Sequence, residues 1–325
     1  MTRKYAAILG NLGNTCDRFC SSYKKNLPTM EMLKTAAGLP HVSGIELVGT
    51  WDITPQNTAD MKKALEDLNL SCVSIIPDLF ANNLYWKGSY SSKDPKIRSH
   101  AIEYTRQMCD VAREMNCRIV NIWPGQDGYD YLLTADYEKE RHWLCDAISK
   151  IASEYSDLKF ALEYKPKEPR THSYIARMAD TLLLAQETGC ANVGVCIDTG
   201  HAFNAGEVVA ESIVLAKRAG NRLFHMHFND NYTAWDDDMI VGSIHTICYL
   251  EILYWLDRCG YDGWLSMDQY PYREDAAGAI GESIEWLCKF DEILGKNRSK
   301  IDELIAAGDA VVTSRFLRNQ IFRKQ

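Results

Sequence analysis

The chain lacks a CxxC pair, an apolar run of membrane-spanning length, a surplus of basic residues and a glycine-rich dinucleotide fingerprint. Each absence closes off a class. Eleven cysteines are present, but the number is odd and only Cys16 and Cys20 stand close together. That usage reads as reduced thiols in a cytoplasmic protein rather than as a disulfide framework. No stretch reaches the ~18 apolar residues a spanning helix needs, so no membrane partner is expected. The opening MTRKYAAILG has too short an apolar stretch for a signal peptide, which again points to the cytoplasm. Lys and Arg number 36 against 44 Asp and Glu, a formal charge of −8, so a nucleic-acid partner is not expected either. Gly10 and Gly13 follow the first apolar run without making GxGxxG, which argues against a dinucleotide-binding sheet.

What the chain does have is a repeated unit. Of its 325 residues, 46% are hydrophobic and 25% charged, an ordinary globular balance. Short apolar runs at 5–9, 44–48, 72–76, 118–123, 159–163, 193–197, 223–228 and 264–267 alternate with longer amphipathic stretches. Runs with so little polar alternation suit strands buried on both faces of a parallel sheet. Between them, 94–116, 173–188 and 244–259 are predicted helices. The first opens on Asp94-Pro95, and the others stop at Gly189 and Gly260. Eight such units predict an α/β fold, a (β/α)8 TIM barrel with a short C-terminal extension; a doubly wound open sheet is the runner-up. The barrel is expected over 1–297. The extension, 298–325, reads as a basic tail with one helix at 300–307, which packs on a neighbouring subunit or frays. That tail and the aromatic-rich helices point to a homo-oligomer, a dimer or tetramer.

In such a barrel the chemistry sits at the C-terminal ends of the strands. Here the fifth run ends in Glu163, the sixth meets Asp198, the seventh carries His227 with Asn229 beyond it, and the eighth meets Asp268. Singly, each has an ordinary explanation: a strand-end Asp often caps the next helix, and His225 fits a core histidine with a satisfied ring. Four on consecutive strands need a counter-charge, which a divalent metal supplies. Three oxygens and one nitrogen suit Mn2+, Co2+ or Mg2+ better than structural zinc. Trp235-Asp236-Asp237-Asp238 is by default a solvated acidic loop. Its alternate aspartates, Asp236 and Asp238, could also join Asp198 and His201 in a second site sharing Asp198. Glu163 and Lys165 are two apart and share a face if the strand persists. Lys165 then either holds negative charge on a substrate oxygen or forms a salt bridge at the rim.

Together these residues resemble the xylose isomerase-like superfamily of sugar isomerases and epimerases. Glu163-Tyr-Lys-Pro-Lys-Glu-Pro-Arg170 resembles the strand-five motif of xylose isomerases, and Asp198-Thr-Gly-His201 their acid-x-Gly-His element with Asp for Glu. Residues 223–229 resemble their strand-seven segment, with His227 for Asp. Asp236-Asp-Asp238 resembles their second metal site, and Asp268 with Arg273 their last-strand ligand and nearby arginine. Asp78-Leu-Phe80, 88–94 and 123–128 resemble their substrate-pocket loops. The Glu/Asp/His/Asp set is similar to rhamnose isomerase and ketose 3-epimerases. Near strand two, where xylose isomerases carry a ring-opening histidine, this chain reads Gly44-Ile-Glu-Leu-Val-Gly49, so xylose itself is not implied.

The resemblance implies a metal-dependent aldose–ketose isomerase of a small sugar, working by hydride shift between C1 and C2. One metal would be held by Glu163, Asp198, His227 and Asp268, and a second by Asp198, His201, Asp236 and Asp238. Mn2+ is the expected ion, one or two per chain. Lys165, Glu163, Asp268 and His201 would be catalytic, and Trp123, Phe80, Arg273 and Asn229 would meet the sugar. The rivals are a ketose 3-epimerase, transferring protons between Glu163 and Asp268, and a lyase acting on a sugar conjugate. Epimerases of the superfamily pair Glu with Glu; Asp268 and Lys165 are isomerase features. An abasic-site nuclease of the same barrel superfamily would need more histidine ligands and a basic face. A non-catalytic sugar-binding protein would not need Lys165 beside a full ligand set.

Overall fold

The computed structural model describes residues 3–14, 23–270 and 273–321, so Cys16 and Cys20 lie outside the described residues. Its strands are β1 (Lys4–Ile8), β2 (Val42–Val48), β3 (Ser71–Ile76), β4 (Ile119–Ile122), β5 (Gly128–Tyr129), β6 (Lys159–Glu163), β7 (Lys167–Glu168), β8 (Thr171–Ser173), β9 (Val193–Asp198), β10 (Leu223–Phe228) and β11 (Trp264–Met267). Eight of them close a parallel barrel in the order β1-β11-β10-β9-β6-β4-β3-β2, and these are the eight apolar runs of the sequence. The other three, β5, β8 and β7, form a small antiparallel sheet beside its mouth. The helices are α1 (Thr29–Gly38), α2 (Thr58–Asp67), α3 (Pro95–Glu114), α4 (Tyr137–Glu154), α5 (Met178–Glu187), α6 (Thr199–Asn204), α7 (Val209–Arg218), α8 (Thr246–Cys259), α9 (Ala276–Ala307) and α10 (Ala310–Ile321). No helix among the described residues is long and apolar enough to cross a membrane.

Local chemistry sets the boundaries. Asp94 caps α3 by accepting from the Lys96 amide at 2.8 Å, and Pro95 takes the first turn, where a missing N–H is harmless. α8 stops where Gly260 adopts a left-handed φ of 72°. The helix expected from residue 173 begins only at Met178. Thr171–Ser173 pair with β7 and β5 instead, the Tyr174 amide donates to the Asp127 carbonyl, and the Ile175 carbonyl accepts from Lys165. Backbone groups committed to that sheet cannot open a helix. The helix expected at 300–307 is the end of α9, which runs through position 298 without a break, and α10 follows it. Arg298 binds Asp257 of α8 at 2.9 Å and covers the Tyr254 ring, so this stretch is fastened to the outer helices.

On the helix-facing side of the barrel strands the side chains are apolar and wholly buried, among them Phe160, Leu162, Val195 and Ile197. The interior face carries polar side chains, and these are aligned by register. Glu46 pairs with Ile8 and Ser74, His227 with Asp198 and Ser266, and Glu163 with Cys196. The parallel ladder thus brings residues distant in sequence to one end of the barrel.

Candidate active site

Glu163 ends β6, Asp198 ends β9, His227 lies near the end of β10, and Asp268 follows β11. One donor atom from each lies within 4.8 Å of the others. His227 Nδ1 stands 3.2 Å from Asp268 Oδ2 and 3.4 Å from Glu163 Oε2. Asp198, His201 and Asp236 form a second group by the same measure, sharing Asp198 with the first. His201 joins the two groups, with Nδ1 3.3 Å from Glu163 and Nε2 3.1 Å from Asp236. Asp238 lines the same cavity but stands outside both groups.

Behind each of the first four stands a buried partner. Asn121 donates to Glu163 at 2.6 Å, Asn229 to Asp198 at 2.8 Å, and Asn11 to Asp268 at 3.3 Å. His227 Nε2 faces Glu46 at 3.3 Å. Asp198 divides its oxygens: Oδ1 accepts the His201 amide and caps α6, while Oδ2 accepts from Asn229. Helix capping and membership of the cluster therefore coexist in one side chain.

Lys165 is buried at the edge of the second group. Its Nζ is 2.8 Å from Asp236, pairs also with Glu168, and lies 5.0 Å from the centre of a Trp123 ring. Burial pulls the Lys165 ammonium down, but Asp236 and Asp238 outweigh it and hold its pKa above the usual value. Burial pushes Asp236 up, yet Lys165 and His201 hold it well below the ordinary carboxylate range. Asp198 is raised by burial and, despite His201, by Asp268, Asp236 and Glu163. Burial disfavours charge on His201, but Asp198 and Asp236 raise it. The carboxylates thus draw positive charge into the site.

A divalent cation fits this arrangement. His201 Nδ1, His227 Nδ1 and Asp236 Oδ1 are buried and make no hydrogen bond, although carboxylate oxygens stand close to both nitrogens. Buried polar atoms of native proteins rarely stay unmatched, and ones that converge with carboxylates are what a hard cation takes up. Glu163, Asp198, His227 and Asp268 could hold one ion, and Asp198, His201 and Asp236 a second.

Both groups open into a cavity of about 360 Å³. Phe80 and Trp123 line it in contact, ring centres 4.5 Å apart, with Trp51, Trp235 and Tyr270 also on its wall. Two residues expected to meet the sugar stand elsewhere. Asn229 is wholly buried beneath Asp198 and does not line the cavity, and Arg273 is exposed outside it. Glu46, Asn11, Asn121 and Glu168 had no assigned role from sequence. Glu46, Asn11 and Asn121 showed only as polar side chains inside or beside an apolar run, and Glu168 only as a member of the strand-five motif.

The closed barrel and its strand-end acids define a class. The chain matches the xylose isomerase-like TIM barrel family over residues 36–290 and belongs to it. It is 27% identical over 286 residues to the xylose isomerase of Thermus thermophilus, covering 83% of this chain and 73% of that one. With the xylose isomerase of Brucella suis it shares 26% over 186 residues, 54% of this chain and 42% of that one. Among solved structures it is similar in fold to an L-ribulose 3-epimerase, at TM-score 0.71 and 17% identity, covering 92% of this chain and 98% of that one. It is also similar to a D-tagatose 3-epimerase-like protein, at TM-score 0.67 and 21% identity, covering 90% and 98%.

Proposed function

We propose that this protein is a metal-dependent aldose–ketose isomerase of a small sugar, with Mn2+ as its ion. The observation that carries this reading is Lys165, a buried ammonium beside Asp236 of the second acidic group, at the edge of the cavity. In the reaction the hydrogen on C2 moves to C1 with its electron pair, and the O2 proton passes to O1. Lys165 donates to the sugar oxygen that gains charge, where a fixed donor in a dry site stabilises the transition state more than the ground state. Asp236 and Glu168 hold that ammonium in place. Phe80 and Trp123 cover the apolar face of the sugar and keep water from the reacting carbons. Ions held by Glu163, Asp198, His227 and Asp268, and by Asp198, His201 and Asp236 with Asp238 on the cavity wall beside them, would supply Lewis-acid polarisation of the carbonyl and its neighbouring hydroxyl.

A second reading has its own support. Glu163 and Asp268 both come within 3.4 Å of one His227 nitrogen, so two carboxylates flank a single point. A 3-epimerase would use one to remove a proton and the other to return it. Turnover in D2O distinguishes the two after aldoses and ketoses have been screened with Mn2+, Co2+ and Mg2+. Hydride shift leaves the reacting carbons almost free of solvent deuterium. Stoichiometric deuterium there would overturn hydride shift in favour of proton transfer, and the product, a C1/C2 isomer or a C3 epimer, separates isomerase from epimerase.

A further inference from the structure

Glu46, Ser74 and His225 each stand two residues before a cavity-lining residue, respectively Val48, Ile76 and His227. Strand side chains repeat every two residues, so these three form the next layer down. All three are wholly buried. His225 Nε2 meets Glu46 Oε1 at 2.8 Å, His227 Nε2 meets Oε2 at 3.3 Å, and the Ser74 hydroxyl donates to Oε2. No lysine or arginine among the described residues pairs with Glu46. A carboxylate in a barrel interior without such a cation is costly, and an apolar side chain would fill the space at less expense. Something must be gained from its charge.

We propose that Glu46 is the positioning residue of the metal centre, holding His227 with Nε2–H turned inward and the Nδ1 lone pair turned to Glu163, Asp198 and Asp268. This rests on the metal-centre reading above. An ionised carboxylate only accepts, so each imidazole nitrogen facing it must carry a proton. A metal-binding histidine has one protonated nitrogen, and a proton fixed on Nε2 leaves Nδ1 to the ion. The position of Nδ1, 3.2 Å from Asp268 and 3.4 Å from Glu163, is the one this choice requires. Ser74 and His225 hold the carboxylate so that it cannot rotate away. Glu46 touches no cavity surface, and its effect on chemistry passes through His227.

Two variants of the full chain separate charge from shape. Glu46→Gln keeps the shape but offers one acceptor and one donor, so it no longer obliges both rings to present N–H. Glu46→Asp keeps the charge and loses a methylene. Calorimetric titration of Mn2+ into metal-depleted protein should show affinity reduced roughly 10- to 100-fold in Glu46→Gln, with Glu46→Asp binding more tightly than Gln. In 15N-histidine spectra of the Mg2+-loaded wild type, the His227 proton should lie on Nε2. Gln binding Mn2+ as well as wild type, Gln outperforming Asp, or a wild-type proton on Nδ1 would each overturn the proposal. Should Glu46→Gln fail to fold, the wild-type spectrum still decides. If the wild type takes up neither ion, the metal reading fails with it.

Discussion

Lys165 sits where the second acidic group meets the cavity, and its surroundings explain why a lysine there is useful. Asp236 at 2.8 Å and Glu168 fix the ammonium and keep it charged. Lys165→Met retains length and stem packing but removes the donor. Turnover should fall by at least about 10²-fold, the scale of a lost oxyanion donor, while calorimetric Mn2+ uptake persists. A fully active Lys165→Met enzyme would remove Lys165 from the reaction. At this scale the sequence was informative wherever strand ends marked a position, because Glu163, Asp198, His227 and Asp268 follow apolar runs in a fixed geometric place. It was mute where orientation decides. Asn229 lies just beyond β10, yet its side chain turns beneath Asp198, and nothing in the local pattern records that turn. Glu46 was visible as an acid in an apolar strand, but its partner His225 is 179 residues away and only barrel closure brings them together.

Among the elements, the short helix α6 and the strand that precedes it form one unit with the site. A Cβ added at Gly200 would stand 1.9 Å from Asn229 Oδ1 and 2.9 Å from Asn231 Nδ2, inside contact range of the amide that supports Asp198. Gly200→Ala should therefore lower the urea midpoint by the equivalent of about 1–3 kcal/mol and weaken Mn2+ binding. Gly281, within α9, has open space around its Cβ position. The same substitution there should raise stability by about 0.5–1 kcal/mol, so a uniform response to both would refute the contact argument. Element types were legible where periodicity had room to show. The eight barrel strands and α3 fall in that class. Strands β7 and β8 have two and three residues, too few for any period, and their pairing cancels the helical start expected at residue 173. The unbroken α9 was obscured by Arg298, which reads as the start of a basic tail until its Asp257 partner is known.

For the whole molecule, stability carries a pH signature that arises outside the candidate metal site. Asp52 follows β2, is 2% exposed and accepts the Val48 amide. Burial, against that hydrogen bond, raises its pKa to about 7. The folded state then holds this proton more tightly than the unfolded chain. The contribution is full below the unfolded pKa and is lost as pH rises through 7. Asp52→Asn should accordingly gain stability relative to wild type on going from pH 5 to pH 8, read from urea midpoints. A difference independent of pH would show that Asp52 is already ionised in the folded state.

The seam of the barrel has a consequence for biogenesis. Strand β1 pairs with β11, Lys4 opposite Trp264, and Arg3 binds Asp257 of α8 and Asp291 of α9. A chain leaving the ribosome must therefore carry β1 with one edge open until some 260 further residues have been made. Closure waits for the last barrel strand. Until then the nascent barrel is an open sheet whose exposed edge is the natural target for a chaperone or for mispairing with another copy.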